Sequence, residues 1–228
     1  MVKKGLVVLV LAVLVAGGAF AQAGLKLSAG VGGYFTSDFG GGYEESTSLT
    51  TTTRKFPYTG GGGFLFLDAT FAELSFGFWG GSGKLETTTT TTVPIIGSNT
   101  STRKVNISYT GLDIGLLGKY PFAISNKLSL FPLLGINFRI IVAGKGEGGK
   151  LDDPEDFSAL WFRLGGGLDY SFTNSIYLRA GILYGLRLPN KFETDAVDAA
   201  ENTGLLSTDA NTLLGHGLEI KVAVGFRF

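Results

Sequence analysis

The chain contains no cysteine, one histidine, one methionine and six prolines among 228 residues. Without thiols there can be no disulfide staple, no thiol nucleophile and no cysteine metal site. Basic and acidic residues are equal in number, 19 of each, so the formal net charge is zero. Binding to a phosphate backbone calls for a basic field, and no nucleic-acid partner is expected. After the amino-terminal segment, no uninterrupted apolar run reaches the roughly 20 residues that a spanning helix needs.

What is present begins with a basic start at Lys3 and Lys4, an apolar run from Leu6 to Val15, and small residues at Ala19, Ala21 and Ala23. That layout predicts a secretory signal peptide over residues 1–21, cleaved after Ala21. The apolar run is too short for the rival reading, an uncleaved anchor. Residues 22–228 then form one domain, with no stretch that reads as a linker to a second.

The other end alternates strictly: Leu218, Ile220, Val222, Val224, Phe226 and Phe228 fall on one face, and Glu219, Lys221, Ala223, Gly225 and Arg227 on the other. Period two is the signature of a strand with one apolar and one polar face. A terminal strand that ends on Phe resembles the closing strand of bacterial outer-membrane β-barrels. The resemblance implies that Val224, Phe226 and Phe228 serve as a signal to the barrel-assembly machinery, which would be a partner of this chain.

The rest of the chain has the pattern of that family, roughly ten-residue alternating segments joined in turn by short and long connections. Strands are expected near 25–36, 58–69, 71–81, 105–120, 128–143, 160–172 and 176–188, followed by the terminal strand, with long loops at 37–55, 82–104, 144–157 and 189–215. The fold expected is all-β: an eight-stranded, up-and-down antiparallel transmembrane β-barrel with short periplasmic turns and long extracellular loops, similar to the small OmpA/OmpX-like proteins of the bacterial outer membrane.

Two copies of Thr-Arg-Lys, a spacer and Tyr-Thr-Gly stand out, at 53–60 and 102–111, each behind a threonine-rich tract. β-Branched threonine favours extended backbone, so the strands should continue above the bilayer as a protruding sheet. At the outer interface, Tyr58 and Tyr109 are expected beside headgroups, with Arg54, Lys55, Arg103 and Lys104 at the height of outer-membrane lipid phosphates. The blander explanation is that equivalent re-entry positions select similar residues, or that a hairpin was duplicated.

With the apolar faces toward lipid, the inner faces collect Lys26, Asp68, Glu73, Asp113, Lys119, Arg139, Arg163, Asp169, Arg179, Arg187, Glu219, Lys221 and Arg227. Eight strands enclose only enough space for side chains to fill, and buried charges are tolerated when paired. A plugging charge lattice is therefore expected. Inward Phe64, Phe66, Trp79, Leu117, Phe131, Trp161, Tyr177 and Leu183 keep open the alternative of a narrow pore for small or hydrophobic solutes.

Catalytic signals are sparse. "GKGEGGK" at 144–150 has P-loop spacing, but Leu151 stands where Ser or Thr is required and no helix start follows. A lipid-modifying enzyme would need His216 with Ser207, Asp209 or Glu219, and Glu219 belongs to the opposite strand face. Acidic groups at Asp152, Asp153, Glu155 and Asp156, and at Asp195, Asp198 and Glu201, match no EF-hand spacing. No cofactor and no metal is expected. The segment "DAVDAAEN" can form a short helix in the last loop. The function expected is a structural or surface-interaction role, adhesion or defence, in which the long loops meet an extracellular ligand.

Overall fold

The computed structural model describes residues 27–202 and 209–228. The signal segment, Lys26 and Ser207 lie outside them. Among the described residues thirteen strands are formed: β1 Leu27–Asp38, β2 Gly42–Ser46, β3 Thr50–Lys55, β4 Tyr58–Ala69, β5 Ala72–Val93, β6 Gly97–Lys119, β7 Phe122–Ala123, β8 Leu128–Gly146, β9 Gly149–Lys150, β10 Ala159–Ser171, β11 Ile176–Arg187, β12 Asp209–Leu213 and β13 Gly215–Arg227. A 3₁₀ turn, Pro154–Phe157, and one helix, α1, Lys191–Asn202, complete the described elements.

Eight of these strands close into a ring in the order β1, β4, β5, β6, β8, β10, β11, β13, all antiparallel, with β13 pairing back onto β1. Closure leaves no sheet edge in the wall, which is what allows strands to cross a bilayer. Alternation supplies the two faces: Val31, Leu65, Phe78, Leu134, Leu164 and Val222 are exposed on the outside, whereas Trp79, Trp161, Phe66 and Tyr177 are buried within. No described helix is long and apolar enough to cross a membrane, and the crossing elements here are strands.

Short turns lie at one end of the ring and long connections at the other. The long connections are more regular than loops. β5 and β6, of 22 and 23 residues, remain paired from Ala72↔Gly118 up to Val93↔Gly97. β3 pairs with the upper half of β5, β2 with β3, and β12 with β2. A five-stranded sheet, β12-β2-β3-β5-β6, thus rises from one side of the barrel rim. Threonine hydroxyls meet across it, Thr88 with Thr102 at 3.3 Å and Thr90 with Thr100 at 3.1 Å.

This sheet accounts for the repeated motif. β3 and β4 keep one continuous register against β5, from Thr50↔Thr91 to Asp68↔Glu73. Pro57 interrupts them because proline has no N–H to give to the ladder. The two copies of the motif flank β5 from opposite sides: Arg54 and Arg103 both pair with Thr87, and Lys55 and Lys104 both pair with Glu86.

Candidate functional site: the lumen and its outer mouth

At the short-turn end, one guanidinium joins three carboxylates. Arg179 donates from Nε and Nη2 to Asp169 at 2.8 Å, and reaches Glu73 and Asp68 at 2.5 Å. Lys119 adds a second cation to Asp68. All five groups are buried to within about a tenth of their side-chain surface.

In the middle, Asp113 accepts two hydrogen bonds from Arg139, at 2.8 and 2.9 Å, and a third from the Tyr34 hydroxyl at 2.6 Å. Arg139 also donates to the Tyr58 hydroxyl and lies 4.4 Å above the Trp79 ring. Arg163 lies 4.3 Å above Trp161. Glu219 draws in Lys221 at 3.1 Å, Arg163 at 3.3 Å and Arg139 at 3.7 Å. Arg227 is only half-buried, against Tyr177 and Ser171 near the short-turn end.

At the mouth, Arg187 pairs with Asp38 at 3.5 Å and with Glu193 at 2.7 Å. Glu193 belongs to α1 and joins the reciprocal cap that starts it: Asn190 Oδ1 accepts the Glu193 N–H at 2.9 Å, and the Asn190 N–H donates back to Glu193 Oε2 at 2.9 Å. The helix is thereby tied across the opening. Phe192 stacks on Phe157 at 4.6 Å and meets Phe56 edge-on at 5.7 Å, with Tyr43 and Tyr109 completing the lid. Outside, Lys191 bonds to Asp156 at 2.9 Å, which raises its pKa above the ordinary lysine value. The cavity beneath the lid measures about 30 Å³, room for about one water.

Among the described residues, seven cations inside the barrel (Lys119, Arg139, Arg163, Arg179, Arg187, Lys221, Arg227) are set against seven carboxylates (Asp38, Asp68, Glu73, Asp113, Asp169, Glu193, Glu219). Asp38 and Glu193 are additions to the inward charges expected from sequence, because both lie in segments expected to be loops. Their signals were present: Asp38 continues the even-numbered inward face of β1, and Asn190 with Glu193 has capping-box spacing.

The expected interfacial group separates. Tyr58 and Tyr109 do not face lipid: Tyr58 stacks on Trp79 at 5.4 Å, and Tyr109 is buried against Phe157. The reason is parity, since each lies an even number of residues from an inward neighbour on its strand, Phe64 on β4 and Asp113 on β6. Arg54 turns to the inner side of the protruding sheet, 5.1 Å from the Tyr43 ring and 3.4 Å from Glu45. Arg103 shares that side and meets Glu147 at 3.8 Å. Lys55 is exposed on the outer side, and Lys104 bonds there to Glu86 at 2.7 Å.

His216 is on the lipid side, its Nδ1 hydrogen-bonded to the Tyr184 hydroxyl at 2.6 Å, while Glu219 is buried in the lumen. The "GKGEGGK" segment is a β-hairpin formed by β8 and β9, followed by a 3₁₀ turn. Val224, Phe226 and Phe228 line the outer face of the last strand, with the two phenylalanine rings 5.4 Å apart.

A closed antiparallel ring, apolar outside and charge-paired inside, agrees with the sequence-family comparison, in which the model of the outer membrane protein beta-barrel domain matches residues 6–228. The chain belongs to that family. As an outer-membrane barrel it is placed in the bacterial outer membrane, with its long connections facing outward. No curated protein sequence matches it. Neisserial surface protein A is similar at 15% identity over 86% of this chain and 97% of that one, with a TM-score of 0.38. Ail, the attachment invasion locus protein of Yersinia pestis, crystallised with the heparin analogue sucrose octasulfate, is similar at 12% identity over 89% and 99%, with a TM-score of 0.36. The outer membrane protease OmpT from Escherichia coli is similar at 8% identity over 89% and 97%, with a TM-score of 0.45.

Proposed function

We propose that this outer-membrane barrel is a non-enzymatic surface-interaction protein, acting in adhesion or defence through its protruding sheet, while its plugged lumen serves as the scaffold. The observation that carries this reading is the sheet itself. Above Ser108, β6 has no partner strand among the described residues on the side away from β5, so Gly97–Ile107 offers a free edge. A free edge can accept an extended segment of another protein by backbone pairing. At the apex, Ile95 and Ile96 are 106% and 84% exposed, and Ile95 is held at φ 81. That conformation disfavours a β-branched residue, and the turn holds two apolar side chains out at the most distant point.

The test replaces 89–101 by a two-residue Asn-Gly turn, which shortens the hairpin and leaves the wall intact. Bacteria displaying the parent should attach to host-cell monolayers or survive serum better than bacteria displaying the shortened form. Equal behaviour in both assays would overturn the reading. The competing pore is tested by planar-bilayer conductance. A silent parent and a leaky Arg139→Ala, Arg163→Ala double variant fit a plug, whereas steady conductance by the parent moves the function into the lumen.

A further inference from the structure

The register between β6 and β8 shifts once. Gly111 pairs with Ile141 and Thr110 with Ala143, leaving Val142 as an extra residue on β8. A bulge of this kind re-aims the side chains beyond it. Below the bulge, odd-numbered β8 residues such as Arg139 and Ile141 are buried in the lumen. Above it the parity inverts, and Lys145, paired with outward-facing Ser108, stands on the outer wall instead.

There it meets a second lysine. Lys145 and Lys150 pair directly across the β8–β9 hairpin, and like charges directly opposite are destabilising. Neither forms an ion pair among the described residues, whereas Lys104 on the same wall is neutralised by Glu86. A concavity of about 430 Å³ is lined by both lysines, by the hydroxyl-bearing Ser108 and Thr110, and by Val142 and Ala143. Just below, Leu112, Val142 and Phe138 are exposed to lipid. The concavity therefore stands at headgroup height.

We infer that the bulge builds a seat for a phosphate-monoester lipid headgroup of the outer leaflet, held by Lys145 and Lys150 with Ser108 and Thr110 donating hydrogen bonds. Ammonium groups suit phosphate oxygens, a doubly charged anion between the lysines removes their repulsion, and acyl chains continue down the apolar wall. This site goes beyond the surface-contact reading, and its failure leaves that reading untouched, because the hairpin residues tested there lie higher on the sheet.

The experiment is an amide chemical-shift titration of the refolded protein in zwitterionic micelles. The probes are dihexanoyl phosphatidic acid, a monoester; dihexanoyl phosphatidylglycerol, a diester; and inorganic phosphate. Phosphatidic acid should move Ser108, Thr110 and Lys145 and bind about tenfold tighter than phosphatidylglycerol. A Lys145→Gln, Lys150→Gln variant, checked for an otherwise unchanged spectrum, should bind about tenfold more weakly, as expected for losing two solvent-exposed charge contacts. A Lys84→Gln, Lys104→Gln variant should bind within about twofold of the parent. Equal binding of the two lipids, an equal loss in both variants, or no loss in the first would overturn the site as surface charge only. Inorganic phosphate binding as tightly as phosphatidic acid would overturn the lipid assignment in favour of a free anion.

Discussion

Arg179→Met removes one cation from three buried carboxylates. Asp68 keeps Lys119, but Glu73 and Asp169 are left without the guanidinium that pairs them. Deleting one partner of a buried pair costs about 3–5 kcal/mol because the remaining charge stays desolvated. Methionine keeps most of the volume and apolar stem, so little of the loss comes from a cavity. With an unfolding slope of about 2 kcal/mol per molar urea, a loss near 4 kcal/mol lowers the midpoint by about 2 M. The assay is urea unfolding of the protein refolded into phospholipid vesicles, followed by fluorescence of Trp79 and Trp161, both fully buried. Adding Glu73→Gln and Asp169→Asn to the same chain should recover most of the loss, since neutral buried groups no longer demand a counter-ion. Arg103→Ala, which breaks only an exposed contact of 3.8 Å with Glu147, should leave the midpoint unchanged within about 0.5 M. An Arg179→Met shift no larger than that of Arg103→Ala would refute the reasoning, because it would mean that the interior charges are solvated and the lumen is wet.

The lid yields further expectations. Glu193→Ala removes the Arg187 pair and one arm of the helix cap, and should cost about 2–4 kcal/mol; faster amide exchange across α1 is the measurement. Phe192→Ala opens the aromatic lid, so quenching of Trp79 and Trp161 by acrylamide should rise from near zero, while a still-quiet signal would locate the seal deeper, in the charge tiers. Gly42→Ala places a Cβ against the backbone carbonyl of Arg54 at φ +141, where side chains are disfavoured. The β2–β3 hairpin should lose protection from proteolysis while the wall remains resistant.

The wall was legible in the sequence because a barrel strand obeys a local rule: the period-two pattern names the face of each residue before any partner is known. From Phe64 to Asp68 and from Leu183 to Arg187 the alternation alone divides lumen from lipid, and the inward charges follow. The same rule applied to Tyr58 and Tyr109 sends both inward, against the general interfacial preference of aromatic side chains. Other features were not written locally. The single extra residue that turns Lys145 outward is visible only when β8 is set against β6. Across β5, the two Thr-Arg-Lys copies stand opposite one another because register, not spacing, aligns them. The pairing of Asp38 with Arg187 and Glu193 brings together the end of one strand, the end of another and the first turn of a helix. Sequence alone determined the number of wall strands and the two faces of the wall, since these depend on neighbours one or two residues away. Tertiary structure decided which charges meet, what covers the mouth and where the rim turns basic, since those contacts join residues that only ring closure brings within reach.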